Sequence, residues 1–234
     1  MRAVLVAGSW EAGFCLEHEP PLEPGDNKEA GQTLASLASA DLVVAVDGGG
    51  EVLSRMGVLP DLVVGDMDSI SSETLAEIEQ CGAKVVRLPT AKDETDTEAA
   101  LRLAVSRGAD DITVYGALGG PRLDHLLGNL LLLTSPWLEG VRVRMVDGLH
   151  ELFLVGGSCE VQGAKGDLVS LLPLSVQVDE VETEGLLYPL RGDTLFRAST
   201  RGVSNEMTGE RARVSHGEGI LLLVHYRGRV DHVK

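Results

Sequence analysis

Short runs of Val, Leu and Ile recur along residues 1–147, separated by stretches with the periodicity of helices. Few polar residues interrupt these runs, which is typical of strands buried on both faces of a sheet. The pattern predicts six strands, at residues 3–7, 42–46, 62–64, 84–88, 112–115 and 141–146. Because strands and helices alternate, we predict an α/β domain over residues 1–147, with a parallel sheet flanked by helices.

Capping residues predict where the connecting helices begin. Thr95 and Glu98 have the spacing of a capping box ahead of an apolar stretch at 99–105. Ser71 precedes another helical stretch, which should end at Gly82 because glycine favours the conformation that closes helices. A further helix is predicted at 123–133, after a glycine-rich turn.

The pattern changes after residue 147. Strand-like pieces at residues 151–155, 168–172, 176–185, 194–198, 211–214 and 220–226 are separated by Gly, Pro and Asp, and no convincing helix stands between them. Short strands at this spacing are typical of a small sandwich or barrel. We therefore predict a second, smaller all-β domain over residues 148–234.

Composition and charge exclude several classes of partner. The formal net charge is −16 and the chain has no block of Lys or Arg, which disfavours a nucleic-acid surface or an anionic-membrane anchor. Aromatic residues make up only 3% of the chain, too few to favour stacking on single-stranded nucleic acid. We expect no nucleic-acid partner and no membrane partner.

Cysteine usage and the N-terminus bear on location. Cys15, Cys81 and Cys159 are odd in number and far apart, so they suggest neither a disulfide framework nor a zinc site. The apolar run at the N-terminus is too short for a signal peptide and is better explained as the first strand. The chain is expected to be cytoplasmic. The acidic, Pro-rich segment 17–26 is predicted to be a loop, without an assigned role.

Four acidic motifs follow predicted strands of the first domain. They are Asp47-Gly48-Gly49, Gly65-Asp66-Met67-Asp68-Ser69, Lys92-Asp93-Glu94-Thr95-Asp96 and Arg122-Leu123-Asp124-His125. In an open α/β sheet, ligands bind beyond the carboxyl ends of the strands, so these loops should converge. Alternate residues of an extended segment point the same way, and carboxylates placed like this suit Mg²⁺.

Each motif alone has a simpler explanation. In so acidic a chain, one Asp-x-Asp pair is expected by chance. Thr95 and Asp96 would suit the first turn of any helix, although Lys92 nearby also offers a charge for phosphate. His125 is equally explained as a helix-surface residue bonded to Asn129, four positions later.

Motifs of other enzyme classes are missing. The sequence has no P-loop, no Gly-x-Gly-x-x-Gly fingerprint, no Gly-x-Ser-x-Gly elbow and no His-Glu-x-x-His pair. P-loop kinases, nicotinamide enzymes, serine hydrolases and zinc proteases are therefore disfavoured.

Taken in order, the four motifs resemble those of the thiamine pyrophosphokinase family. Residues 165–173, 185–190 and 202–206 are similar to that family's thiamine-binding β domain. The resemblance implies transfer of pyrophosphate from ATP to the hydroxyl of thiamine, giving thiamine diphosphate and AMP, with Mg²⁺ as cofactor. It also implies a homodimer with thiamine bound at the subunit interface.

The resemblance also implies roles for individual residues. Mg²⁺ ligands and catalytic residues would be Asp66, Asp68 and Asp96, with Asp93 as a support or proton acceptor. Contacts to ATP would come from Asp47, Gly48, Gly49, Lys92, Thr95 and Arg122, and Asp47 would also be a fourth metal ligand, directly or through water. Contacts to thiamine would come from Asp124, Ser204 and Asn205.

Two departures from the family pattern and three alternatives stay open. Pro121 is inserted between Gly120 and Arg122, and the β domain lacks a Trp to cover the thiamine ring. The alternatives are a related pyrophosphokinase that acts on a pterin alcohol, a nucleotide- or thiamine-binding protein without turnover, and acidic loops that are merely solvated surface.

Overall fold

A computed structural model describes residues 1–8 and 28–228. The predicted loop at 17–26, together with Cys15, lies outside the described residues. The chain divides into two compact units, Met1–Gly148 and Leu149–Lys234, and the predicted boundary after residue 147 falls beside this division.

The first unit contains a parallel sheet of six strands in the order β6-β5-β1-β2-β3-β4. The α/β prediction is confirmed, and each predicted strand agrees with the structure to within one residue at either end. The strands are β1 (Arg2–Ala7), β2 (Leu42–Val46), β3 (Leu62–Gly65), β4 (Lys84–Arg87), β5 (Asp111–Tyr115) and β6 (Arg142–Asp147).

Five helices connect the described strands of this sheet, and a short 3₁₀ helix lies at Pro136–Leu138. Ser71 and Thr95 are the N-caps of α3 and α4, as predicted, and their hydroxyls accept the backbone N–H of Thr74 and Glu98. None of the helices in the described residues is long and apolar enough to cross a membrane. They are α1 (Lys28–Ala38), α2 (Gly49–Arg55), α3 (Ser72–Gln80), α4 (Asp96–Ser106) and α5 (Leu123–Leu132).

The start of α2 packs directly against the central strand β1. A Cβ on Gly49 would lie 1.8 Å from the carbonyl oxygen of Val6, so no side chain fits at this position. Beside it, a Cβ on Gly50 would lie 2.4 Å from the side chain of Ile70. Gly49 is therefore explained by close packing of α2 on β1, and Gly50 by close packing of α2 on Ile70.

One side of the sheet ends at the short strand β4. Lys84 and Arg87, its first and last residues, are both exposed, whereas β1 beyond Arg2 is buried. One apolar cluster of this unit lies between the sheet and α1, α2 and α3, and includes Val4, Leu53 and Ile78. Helix α4 also buries Leu101 in this unit.

The second unit is a β-sandwich, as predicted, with no helix among residues 149–228. Its strands form two antiparallel groups, in the orders β12-β9-β14-β7 and β11-β10-β13-β8. The predicted strands do not include β8 or β12. The sequence of β8, Ser-Cys-Glu-Val-Gln, has one buried apolar residue, and β12 is only two residues long. The strands are β7 (His150–Leu154), β8 (Ser158–Gln162), β9 (Leu168–Pro173), β10 (Gln177–Glu184), β11 (Arg191–Phe196), β12 (Asn205–Glu206), β13 (Arg211–Ser215) and β14 (Leu221–Tyr226).

A buried polar pair stands beside the apolar core of the sandwich. Nε2 of His225 lies 3.1 Å from Oδ2 of Asp167, which also accepts the N–H of Ala164 at 2.8 Å. Gly163 leaves room for the pair, since a Cβ there would lie 2.5 Å from that carboxylate oxygen. The pair joins β14 to the start of β9.

The packing of α2 gives a first prediction. We expect Gly49→Ala to lower the free energy of unfolding by more than about 2 kcal/mol, because the backbone of β1 must move to admit a methyl group. The matched substitution Gly31→Ala in α1, where a Cβ meets nothing within 4 Å, should instead raise stability, by about 0.5–1 kcal/mol. Urea unfolding followed by circular dichroism measures both, and equal effects would contradict the packing account.

Candidate functional site

Asp47, Asp66 and Asp68 come together at the carboxyl ends of two neighbouring strands. Asp47 directly follows β2 and Asp66 directly follows β3, and these strands pair in parallel. One carboxylate oxygen from each of the three residues lies within 4.8 Å of the other two. The expected convergence of the first two motifs is therefore seen in the structure.

Unusual backbone conformations aim these carboxylates. Asp47 has φ +47° and Met67 has φ +67°, a left-handed region that residues other than glycine seldom adopt. Gly65 permits the close approach of the two loops, because a Cβ there would lie 2.9 Å from Cβ of Asp47. Local strain of this kind is concentrated at functional sites.

One hydrogen bond from Ser69 joins the two loops, and a second stays within the Ser69 loop. Its backbone N–H donates to Oδ1 of Asp47 at 3.4 Å, and its hydroxyl donates to Oδ1 of Asp68 at 2.8 Å. The N–H of Asp68 donates to Oδ1 of Asp66 at 3.3 Å. Burial raises the pKa of Asp47 above its ordinary value, and the negative charge of Asp68 raises it further. The site is thus one where positive charge would be favoured.

The donor set fits a divalent cation that prefers oxygen. Three carboxylates supply hard oxygen ligands on one side, and exposed Asp68 leaves the other side open to solvent. Mg²⁺ commonly takes one or two carboxylates and keeps further positions for water and substrate phosphates. The three residues thus meet the requirements for Mg²⁺.

Lys92 lies between Asp66 and Asp96. Its Nζ is 3.1 Å from Oδ1 of Asp96 and 4.0 Å from Oδ2 of Asp66, and it donates to the carbonyl oxygen of Pro89 at 3.2 Å. Oδ1 of Asp96 is buried and, despite the nearby ammonium, has no partner with hydrogen-bond geometry. Asp96 is therefore tied to the site through Lys92 and lies outside the group formed by Asp47, Asp66 and Asp68.

The remaining residues predicted to contact ATP have structural contacts of their own. Gly48 and Gly49 form the start of α2, and Thr95 uses its hydroxyl to cap α4. Asp93 is exposed in the loop before that helix. The predicted roles of Gly48, Gly49 and Thr95 toward ATP, and of Asp93 as a support or proton acceptor, stay predictions.

Arg122 and Asp124 pair with each other at the start of α5. Nη2 of Arg122 lies 2.5 Å from Oδ2 of Asp124, and both side chains are exposed. The hydrogen bond from Arg122 lowers the pKa of Asp124. His125 is exposed, while buried Asn129 donates to the carbonyl oxygen of Ala117 at 2.8 Å. Asn129 thereby fixes the glycine-rich turn to α5.

α5 turns leucines toward solvent. Leu123, Leu127 and Leu131 are 67%, 49% and 58% exposed, and their spacing of four residues places them on one face. Asn129 is the buried residue of this helix. The three leucines form an exposed apolar stripe along α5.

In the second unit, the side chain of Asn205 makes two hydrogen bonds with the backbone of Tyr188. Its Oδ1 accepts the N–H of Tyr188 at 3.0 Å and its Nδ2 donates to the carbonyl oxygen of Tyr188 at 2.7 Å. Asn205 is itself buried, whereas the Tyr188 side chain is 67% exposed. Ser204 is exposed, with φ +58°, and its N–H donates to the hydroxyl of Ser170 at 2.9 Å. Asn205 thus holds an exposed aromatic residue in place.

Sequence reasoning missed Glu51 of α2. Its Oε1 accepts the N–H of Ser71 at 2.7 Å, and its Oε2 accepts the hydroxyl of Thr74 at 3.1 Å. The hydrogen bond from Ser71 is the main reason that the pKa of Glu51 is lowered. The one signal in the sequence is an acid directly after three glycines, which is equally common on a solvated helix face.

Comparisons with known proteins identify the family. A family model described as "Thiamin pyrophosphokinase, catalytic domain" matches residues 34–145, and one described as "Thiamin pyrophosphokinase, vitamin B1 binding domain" matches residues 158–221. A thiamine pyrophosphokinase of Bacillus subtilis (strain 168) is 30% identical over 185 residues, which cover 78% of this chain and 86% of the relative. The chain belongs to the thiamine pyrophosphokinase family.

Solved structures of this family have the same fold. The thiamine pyrophosphokinase from Bacillus subtilis has a TM-score of 0.79 at 27% identity, covering 97% of this chain and 100% of its own. A family protein from Enterococcus faecalis has a TM-score of 0.77 at 28% identity, covering 98% and 100%. An α/β unit followed by a β-sandwich is therefore the family's architecture, and the chain is an enzyme of the pyrophosphokinase type.

The carboxylate group gives a second prediction. We expect Asp68→Asn to weaken binding of Mn²⁺, a spectroscopic substitute for Mg²⁺, by about tenfold or more, because one anionic ligand is lost. The fold should be retained, since Asp68 is exposed. Electron paramagnetic resonance measures free Mn²⁺ directly. Glu79→Gln, a charge-matched change at an exposed position of α3, should bind Mn²⁺ like the wild type; unchanged binding by Asp68→Asn would remove Asp68 from the site.

Proposed function

We propose that the chain transfers pyrophosphate from ATP to the hydroxyl of thiamine, giving thiamine diphosphate and AMP, and that Asp47, Asp66 and Asp68 bind the Mg²⁺ it uses. The observation that carries the metal assignment is the convergence of their carboxylate oxygens within 4.8 Å. Family membership supports the reaction, because both domains of the family are matched in order.

Mg²⁺ bound there would neutralise negative charge on the phosphates of ATP and help to orient them. The three aspartates would bind one side of the Mg²⁺ ion, and hydrogen bonds from Ser69 fix their loops. In phosphoryl transfer, most of the protein's contribution is positioning and electrostatic stabilisation. Loops held in fixed conformations by hydrogen bonds are suited to positioning the metal and the phosphates.

Lys92 and Arg122 are the proposed phosphate contacts. Lys92 already lies at the edge of the carboxylate group, and its compact charge suits phosphate oxygens. When phosphates occupy the site, the Lys92 ammonium can move from Asp96 to the phosphate oxygens. Asp96 would then be free to bind the metal as a further ligand. Arg122 is exposed and bonded only to Asp124 among the contacts described for it, so its guanidinium can turn toward an anion.

Thiamine is favoured over a pterin alcohol by the second unit. The match to the vitamin B1 binding domain spans Ser204, Asn205 and Tyr188. An aromatic ring attracts a cation such as the thiazolium of thiamine. Tyr188 is therefore a candidate to cover the ligand in a sandwich that lacks Trp, with Asn205 acting through its backbone.

A homodimer with thiamine at its interface is also proposed. In each unit, predicted thiamine residues stand next to exposed apolar side chains: Asp124 beside Leu123 and Leu127 in α5, and Ser204 beside Val203. Large apolar surfaces exposed in a single chain are commonly covered by a partner. A second copy of the chain would cover them and enclose the ligand.

The cytoplasm is the proposed location. Cys81 and Cys159 are free thiols, which suits a reducing compartment. Burial raises the pKa of the Cys159 thiol to about 11, so this thiol is unreactive at neutral pH.

The reaction is tested by its products. Incubation with thiamine, ATP and Mg²⁺ should give thiamine diphosphate and AMP in equal amounts, measured by chromatography, because attack on the β-phosphorus expels AMP. Asp68→Asn should lower turnover by orders of magnitude. ADP as the sole nucleotide product would contradict pyrophosphate transfer, and preference for a pterin alcohol in a substrate panel would contradict thiamine as the acceptor.

The dimer is tested on α5. We expect the wild type to be a dimer by light scattering coupled to gel filtration, and Leu127→Lys to be a monomer at the same concentration, because a lysine charge would be buried at the interface. Leu59→Lys, at an exposed leucine outside α5, should leave the dimer intact. A monomeric wild type, or a dimeric Leu127→Lys, would exclude this surface.

A further inference from the structure

We propose that Glu51 is a positioning residue for the loop at residues 66–71, and that it thereby sets the affinity of the carboxylate group for a divalent cation. The inference rests on the proposed metal site and adds a residue to it that does not touch the metal. Glu51 lies on α2, whereas Asp66 and Asp68 lie on the loop that it holds.

The loop is fixed at its far end by Glu51. Both carboxylate oxygens are engaged, Oε1 by the N–H of Ser71 at 2.7 Å and Oε2 by the hydroxyl of Thr74 at 3.1 Å. The Ser71 hydroxyl donates to Oγ1 of Thr74 at 2.9 Å, so the two hydroxyls and the carboxylate form one continuous chain of hydrogen bonds. Hydrogen bonds to an ionised acceptor are stronger than neutral ones.

Helix α2 connects Glu51 to Asp47, the metal ligand that follows β2. This helix starts at Gly49, two residues after Asp47, and Glu51 is in its first turn. One short helix therefore follows the ligand from β2 and also holds the loop that carries the two ligands from β3. Ile70 adds an apolar contact, since its side chain occupies the space that Gly50 leaves empty.

Without this anchor, repulsion would spread the ligands. The carboxylates repel one another, and the described hydrogen bond that joins Asp47 to this loop, from the N–H of Ser69, is as long as 3.4 Å. Fixing Ser71 two residues farther along limits the movement of Asp68. Loss of the anchor should therefore weaken cation binding more than it weakens the fold.

Three variants separate positioning from general stability. Glu51→Ala removes both bonds. Glu51→Gln keeps an oxygen for the N–H of Ser71 and an amide that can donate to Oγ1 of Thr74. Glu73→Ala removes an exposed acid from the first turn of α3 and is the matched control.

Mn²⁺ binding is measured by electron paramagnetic resonance, and the Mg²⁺ concentration for half-maximal activity is measured alongside it. We expect Glu51→Ala to weaken Mn²⁺ binding by about tenfold, as the loss of charged hydrogen bonds implies, and to raise the half-maximal Mg²⁺ concentration similarly. Glu51→Gln, which keeps both hydrogen bonds in neutral form, should weaken Mn²⁺ binding less than Glu51→Ala does. Glu73→Ala should stay close to the wild type, and the KM for thiamine should not change.

The outcomes distinguish this inference from the function on which it rests. If the wild type binds no Mn²⁺, the proposed metal site fails. If the wild type binds Mn²⁺ and folded Glu51→Ala binds it equally well, or loses only thermal stability, Glu51 is not a positioning residue. If Glu51→Ala does not fold, Thr74→Val decides, because it removes one of the two bonds: unchanged Mn²⁺ affinity in that variant overturns the inference.

Discussion

Mutual repulsion of three carboxylates is the constraint on which the candidate site depends. Two like charges about 5 Å apart repel by roughly 3 kcal/mol at the effective dielectric of a protein surface. Burial is the main reason that the pKa of Asp47 is raised, and the negative charge of Asp68 raises it further. Such an arrangement persists only where rigid elements hold it, here the ends of two paired parallel strands and the closely packed start of α2.

The structure offsets the repulsion locally and in several ways. Lys92 brings a positive charge to the edge of the carboxylate group, and backbone N–H groups of the Asp66–Ser69 turn donate hydrogen bonds to the carboxylates. Left-handed residues at Asp47 and Met67 shape the two turns, at a conformational cost that the surrounding packing sustains. The site is therefore preorganised: the protein bears the cost of assembling the charges while it folds, before any ligand arrives.

The sequence predicts the strands of the first unit well, because buried parallel strands are nearly continuous apolar runs such as that of β2. It also predicts the starts of α3 and α4, where Ser71 and Thr95 carry their caps in the local sequence. It could not predict that Lys92 separates Asp96 from the other aspartates, or that Glu51 and Asn205 act by fixing backbone elsewhere. Those roles depend on contacts between segments distant in sequence, and an isolated Glu or Asn gives no periodic signal.

The charged ends of β4 bear on how copies of the chain can meet. An exposed sheet edge can recruit a strand from another molecule, and chains joined in this way can add without limit. The edge strand β4 is only four residues long and places the cations Lys84 and Arg87 at its ends, which discourages such pairing. In the proposed dimer, copies of the chain would meet through side-chain surfaces such as the leucine face of α5. A patch of that kind can pair with itself about a two-fold axis, which yields a closed assembly of fixed size and not an open fibre.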